Sequence, residues 1–245
     1  DAIVTYGDHV KRYLVSENVP SEKIFNTTHA VDNEAYCGAI DAAETKRLRE
    51  QLNIGPNTKV VLFLGRMEEI KGIPYLVQAF SQLHRQDAVL LLAGDGSRLE
   101  SIKQIVKHAG AEETGRFSGY VPVHQSLPYY ALADVFVLPS ITVPQGKETW
   151  GLVVNEAFNQ GVPVIATDAV GAAAGGLVED GVNGYIVPER DSNALAQALQ
   201  RILDNPNLRA EMSKNARQKI AAWDNEHMVQ GFREAIDYVQ AKNKK

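Results

Sequence analysis

Two carboxylates and two cations are the reactive side chains that stand out in this chain. Glu148 and Glu156 stand with seven residues between them, and Gly151, Leu152 and Val153 lie in that interval. Upstream, Arg66 and Lys71 each neighbour a glycine, as Gly65-Arg66 and Lys71-Gly72. A guanidinium fork and an ammonium point charge beside a helix start suit a diphosphate. Each such charge-assisted hydrogen bond is worth roughly 1.5–3 kcal/mol net. Gly151 reads as the opening of a helix, whose first N–H groups and positive dipole end form an anion site. Carboxylates flanking an anion site make sense when the anion carries hydroxyls on both sides, as a sugar nucleotide does. Each residue taken singly also admits a plain surface role. An acidic residue in a first helical turn is favourable by about 0.3–1 kcal/mol through the dipole alone. Arg66 and Lys71 could simply balance Glu68 and Glu69.

The stretch from Pro139 to Thr167 has to position the carboxylates. It follows a predicted buried strand at 134–138 and contains a polar loop, a short helix and a second buried strand at 162–166. Val153, Val154, Ala157 and Phe158 recur at helical spacing and are expected to face the core. Leu152 and Glu156, four apart, share the other side. Upstream, the pattern predicts strands at 59–64, 88–93 and 116–120 alternating with helices at 74–83, 98–108 and 125–132. Downstream come a strand at 185–187 and helices at 193–203, 206–221 and 226–241. Near-continuous aliphatic strands alternating with helices predict an α/β fold. The expectation is a Rossmann-like, doubly wound parallel sheet of about six strands with helices on both faces. Ligands of such sheets sit at the carboxyl ends of the strands.

Residues 1–33 read as strand, helix and short strand, too little to bury a core of their own. The chain starts at Asp1 directly in the strand-like AIVTY, which leads us to expect a piece of something longer. It has 245 residues, 44% of them hydrophobic and 22% charged, ordinary for a soluble globular protein. A net charge of −5 disfavours nucleic acid as a main partner. The single cysteine, Cys37, excludes an internal disulfide framework and suggests a reducing, cytoplasmic setting. No apolar run reaches membrane-spanning length. The six histidines show no ligand-like spacing, so no metal site is expected. Gly94-Asp95-Gly96 starts like a dinucleotide fingerprint, but Leu99 occupies the third glycine position and the motif follows the second strand of the sheet. The run Gly171–Gly176 either lets backbone approach a ligand or is a simple turn.

In order along the chain, GRM…KG (65–72), LAGDG (92–96), FSGYV (117–121), ADVFVLPS (133–140), ETWGLVVNEA (148–157), GVPVIATD (161–168) and EDGVNGYIV (179–187) resemble the donor-binding half of the retaining glycosyltransferases of family 4, also called group 1. The resemblance covers roughly residues 1–205. It implies one half of the GT-B architecture, with residues 1–33 a remnant of the N-terminal acceptor domain and linker. Residues 34–222 would form the donor domain, and 223–245 a C-terminal crossing helix and tail with little left to pack on. By position, Arg66 and Lys71 would grip the donor diphosphate after Gly65. Glu148 would hold the transferred sugar and Glu156 the ribose. Backbone amides of Gly151, Leu152 and Val153 would meet sugar and phosphate, and Val121 would lie against the base.

The same resemblance implies transfer from a nucleoside diphosphate sugar with retention, without cofactor or metal. The acceptor would be a sugar, lipid or polysaccharide precursor brought by the missing domain, with room for peripheral membrane association of the full-length enzyme. The chain departs from the family at Thr28-His29-Ala30, where Pro-Asn-Gly is usual, and at Ala172–Leu177, where a Pro-Glu turn is common. Its loop Ile141–Lys147 is longer than in many members. Two other readings remain open: a non-catalytic nucleotide-sugar-binding or regulatory module, and an epimerase or phosphorylase on the same two-domain fold.

Overall fold

The computed structural model describes residues 1–243. Six parallel strands form the central sheet: β3 (Lys59–Leu64), β4 (Ala88–Ala93), β5 (Gly115–Gly119), β6 (Val135–Leu138), β7 (Val164–Thr167) and β8 (Gly184–Val187). Their spatial order is β5-β4-β3-β6-β7-β8. The sheet grows outward from β3 in one direction and, after the crossover from β5 to β6, in the other. The switch point therefore lies between β3 and β6, paired in parallel at Val61–Val135 and Leu62–Phe136. This is the expected doubly wound sheet, and a crevice at the carboxyl ends of β3 and β6 follows from it.

Aliphatic strands require cover on both faces. Helices α4 (Ile73–Ser81), α5 (Leu99–His108) and α9 (Ser192–Asp204) form one layer, with α4 touching both others. Helices α3 (Ala42–Gln51), α6 (Leu127–Ala131) and α7 (Val153–Asn159) form the other, and α10 (Pro206–Ala221) packs on α7 and α9. Val60 to Phe63 and Leu90 to Ala93 are completely buried between the layers. The run Gly171–Gly176 is neither open backbone nor a simple turn: residues Gly171–Ala174 form a short helix, α8, beneath Trp150.

A second, two-stranded parallel sheet pairs β1 (Ile3–Tyr6) with β2 (Ile24–Thr27), connected by α1 (Asp8–Ser16). The C-terminal helix α11 (Asn225–Asn243) lies on β2, contrary to the expectation that it would have little to pack on. Thr27 donates from Oγ1 to the Met228 carbonyl at 2.7 Å, and Phe25 meets Tyr238 at 5.4 Å between centroids. The linker between the two units is stitched to the chain's return. Thr28 Oγ1 donates to the Asp224 carbonyl, and Asn33 in α2 (Asn33–Tyr36) donates to the Ile220 carbonyl. No helix among the described residues is long and apolar enough to cross a membrane.

Candidate functional site

The loops after β3 and β6 meet at the switch point. The first carries Gly65, Arg66 and a 3-10 turn Glu69–Lys71 that ends at Gly72. Gly72 has φ +60°, and a Cβ there would collide with the Pro139 carbonyl, so only glycine allows this approach. Ile141 then donates its N–H to the Ile70 carbonyl at 2.8 Å, closing the two loops together. As a result Lys71 forms an ion pair with Glu148, both side chains 15% exposed. Ser140 Oγ donates to the same Glu148 oxygen at 3.2 Å. Lys71 has three N–H donors and spends one on Glu148, leaving others for an anion above it.

Arg66 lies on the same loop with an exposed side chain that makes no hydrogen bond or ion pair among the described residues, while its carbonyl accepts from the Glu68 N–H at 3.0 Å. Its guanidinium is thus not spent on any protein group among the described residues. No group of three or more His, Cys, Asp or Glu suited to hold a metal occurs among the described residues.

Helix α7 differs from its expected form. Gly151 does not open it. Leu152 is the N-cap, Val153 the first helical residue, and Gly151 sits upstream at φ +90°, with the Leu138 side chain filling the space a Cβ would need. With seven residues the helix carries only a small macrodipole. Backbone amides, rather than a strong dipole, are what residues 151–153 present. Val154, Ala157 and Phe158 are buried in the core as expected, Val153 packs half-buried against it, and the fully buried polar residue of the helix is Asn155.

Asn155 accepts from Trp150 Nε1 at 2.9 Å and donates to the His29 carbonyl at 2.8 Å. Trp150 is buried against Tyr6, His29 and Trp223, with centroid distances of 5.5, 5.8 and 6.1 Å. The residue two places from Glu148 thus joins the loop after β6 to the small sheet, the linker and the C-terminal return.

Glu156 is half-buried on α7 and accepts from the hydroxyl of the fully buried Tyr130, on α6, at 2.7 Å. Burial pushes its carboxyl above the ordinary value, and hydrogen bonds from Tyr130 and Tyr36 pull part of the way back. The same carboxylate, after burial, raises the Tyr130 and Tyr36 hydroxyls. Neither tyrosine stood out in the sequence, because aromatic residues in short helices read equally as core. Val121 is half-buried after β5, packed against the core, while its neighbour Tyr120 is 73% exposed. Gly65 continues β3 by donating to the Ala93 carbonyl at 3.0 Å. Geometry thus joins Lys71 directly to Glu148 and places Arg66 on the same loop. Glu156 is held separately, by α6.

Residues 44–219 match the family described as Glycosyl transferases group 1. Among relatives, the D-inositol 3-phosphate glycosyltransferase of Corynebacterium aurimucosum is 31% identical over 225 residues, 87% of this chain and 51% of that protein. The alpha-D-kanosaminyltransferase of Streptomyces kanamyceticus is 28% identical over 207 residues, 83% of this chain and 51% of that protein. The chain therefore spans about half the length of these relatives. Among solved structures, Anabaena HepE in complex with UDP superposes with a TM-score of 0.83 at 22% identity, over 98% of this chain and 64% of that one.

Proposed function

Because the chain belongs to the group 1 glycosyl transferases, we propose that it binds a nucleoside diphosphate sugar at the β3–β6 switch point for transfer with retention. The observation that carries this is the Lys71–Glu148 couple with Arg66 free on the same loop. A diphosphate leaving group gains charge as the glycosidic bond breaks, and preorganised cations aimed at it stabilise that charge most strongly in the transition state. Arg66 and Lys71 fill this role in place of a metal ion. Glu148, already oriented by Lys71 and Ser140, accepts from hydroxyls of the transferred sugar. Glu156 accepts from the ribose, the amides of 151–153 meet phosphate and sugar, and Val121 lies against the base.

The acceptor would be brought by a region matching the part of these relatives that residues 1–245 do not span. Residues 1–245 alone are therefore expected to bind donor and to transfer nothing. Titration calorimetry with UDP, GDP and ADP tests the binding. One of them is expected to bind, and Arg66→Ala to weaken it about tenfold or more through loss of a charge-assisted bond. Unchanged affinity in Arg66→Ala would remove the diphosphate from this site.

A further inference from the structure

The loop Ile141–Lys147 is folded and tied at its base by residues that no role above has used. Its tip is a tight turn in which Val143 and Gly146 exchange backbone hydrogen bonds at 2.9 Å in both directions. At the base, Thr142 donates its N–H to Glu189 Oε2 at 2.5 Å and its hydroxyl to Glu189 Oε1 at 2.7 Å. Arg190 Nη2 donates to the Thr142 carbonyl at 2.5 Å, and Nη1 to the Tyr75 hydroxyl at 3.2 Å. Two consecutive residues after β8 thus engage all three polar groups of one loop residue. The Glu189 carboxyl is held below its ordinary value, first by the Thr142 hydroxyl and N–H and further by Arg190. Glu189 is fixed in turn by its own N–H, which donates to Asp168 Oδ1 at 2.9 Å.

Arg190 adopts a left-handed backbone, φ +64°, that side-chain-bearing residues rarely take and that glycine takes freely. The side chain's contacts, not backbone preference, account for an arginine there. The loop they fix runs into Glu148 six residues on, and its first residue, Ile141, is bonded beside Lys71.

We propose that Glu189 and Arg190 are positioning residues for the sugar end of the donor site. They hold the 141–147 hairpin so that Glu148 meets the transferred sugar, while the diphosphate grip of Arg66 and Lys71 does not depend on them. This rests on the donor reading above. Neither residue touches the donor; each acts through Thr142.

Arg190→Gly separates the two roles a residue here could have. It removes the clamp while relieving the left-handed strain, so the unfolding temperature is expected to hold or rise. Calorimetry with UDP against UDP-glucose, GDP against GDP-mannose and ADP against ADP-glucose supplies the functional reading. In Arg190→Gly the sugar nucleotide is expected to bind about fivefold or more weakly, with the bare diphosphate within about twofold of the parent. Glu189→Gln keeps an acceptor for only one of the two Thr142 donors and is expected to fall between parent and Arg190→Gly. Sugar-nucleotide affinity unchanged in both variants, or an equal loss for diphosphate and sugar nucleotide, overturns the proposal and leaves the donor reading standing. A parent chain that binds none of the three pairs overturns both.

Discussion

The chain contains two parallel sheets, and they satisfy the same requirement to very different degrees. The six-stranded sheet has helices on both faces, and β4 is buried along its whole length. In the two-stranded sheet Ile24 is buried but Ile3 is 37% exposed, and α1 buries no residue. Helix α11 covers β2 yet turns Val229, Phe232 and Ile236 to solvent, the last 54% exposed. A site built on loops of the first sheet is positioned by a core that owes little to the second. The two units are nonetheless joined through Trp150, two residues from Glu148, where Tyr6, His29 and Trp223 converge. The site's framework is therefore local to the large sheet, while its link to the small sheet and α11 runs through one aromatic seam.

The sharpest way to break that contrast is to truncate one side chain in each region. Leu91 is completely buried in β4, and Leu91→Ala removes both transfer energy and packing, expected to cost about 2–5 kcal/mol. Ile236→Ala on α11 is expected to change stability by no more than about 0.5 kcal/mol, as at other exposed positions. Urea unfolding measures both. Comparable losses would mean that the small sheet and α11 carry as much of the cooperative fold as the large sheet does.

Within the pocket, the two carboxylates are expected to separate by about tenfold in binding. Glu156→Gln is expected to weaken the bare nucleoside diphosphate by roughly that factor, since a ribose hydroxyl loses a charged acceptor. Glu148→Gln is expected to leave the diphosphate unchanged or tighter, because Lys71 loses its competing partner, and to weaken only the sugar nucleotide. Equal effects on both ligands would show that ribose and sugar are assigned to the wrong carboxylates.

Much of the large sheet was legible because its signal is redundant: KVVLFL and AVLLLA are unbroken aliphatic runs followed by helical periodicity, and only a two-sided parallel sheet uses both. The site's ingredients were legible as residue types, and the pairing of Lys71 with Glu148 followed once β3 and β6 became neighbours. Three things were not legible. The start of α7 slipped by two residues, because Gly151 at positive φ reads in sequence like a helix opener. Asn155 was hidden inside an apolar helix, where its partners, Trp150 and the His29 carbonyl, come from distant parts of the chain. Glu189 and Arg190 look like ordinary surface charges after a strand, and only the fold brings them to Thr142.

The smallest expected effect is also the one that sets the two regions against each other in sign. Glu156, in the large unit, has its carboxyl raised by burial, so its ionised form is penalised in the fold. Its contribution to stability is fully present below the ordinary 4.5 and is lost as pH climbs from there through the raised value. His29, in the seam, is lowered from 6.5 by burial, and its Nδ1 is buried without a partner. Its contribution is present above 6.5 and is lost as pH falls toward the depressed value. His9 shares that sign, through burial and then the charges of Lys147 and Arg12, but it makes no aromatic contact with either indole.

Of the two effects that of His29 is small, because its ring is half-exposed and solvent screens its charge. They are separable because the chain's two tryptophans, Trp150 and Trp223, both sit in the seam. Acidification from about pH 7 to pH 5, across the range where a histidine takes up its proton, is expected to red-shift tryptophan emission while the unfolding temperature changes little. His29→Gln is expected to remove most of that shift. Glu156→Gln is expected to raise the unfolding temperature at pH 7, by an amount that shrinks as the pH is lowered. A red shift that persists in His29→Gln would place the acid-sensitive group outside the seam. A gain in Glu156→Gln that grows toward low pH would mean that its carboxylate is stabilised, not strained, by Tyr130.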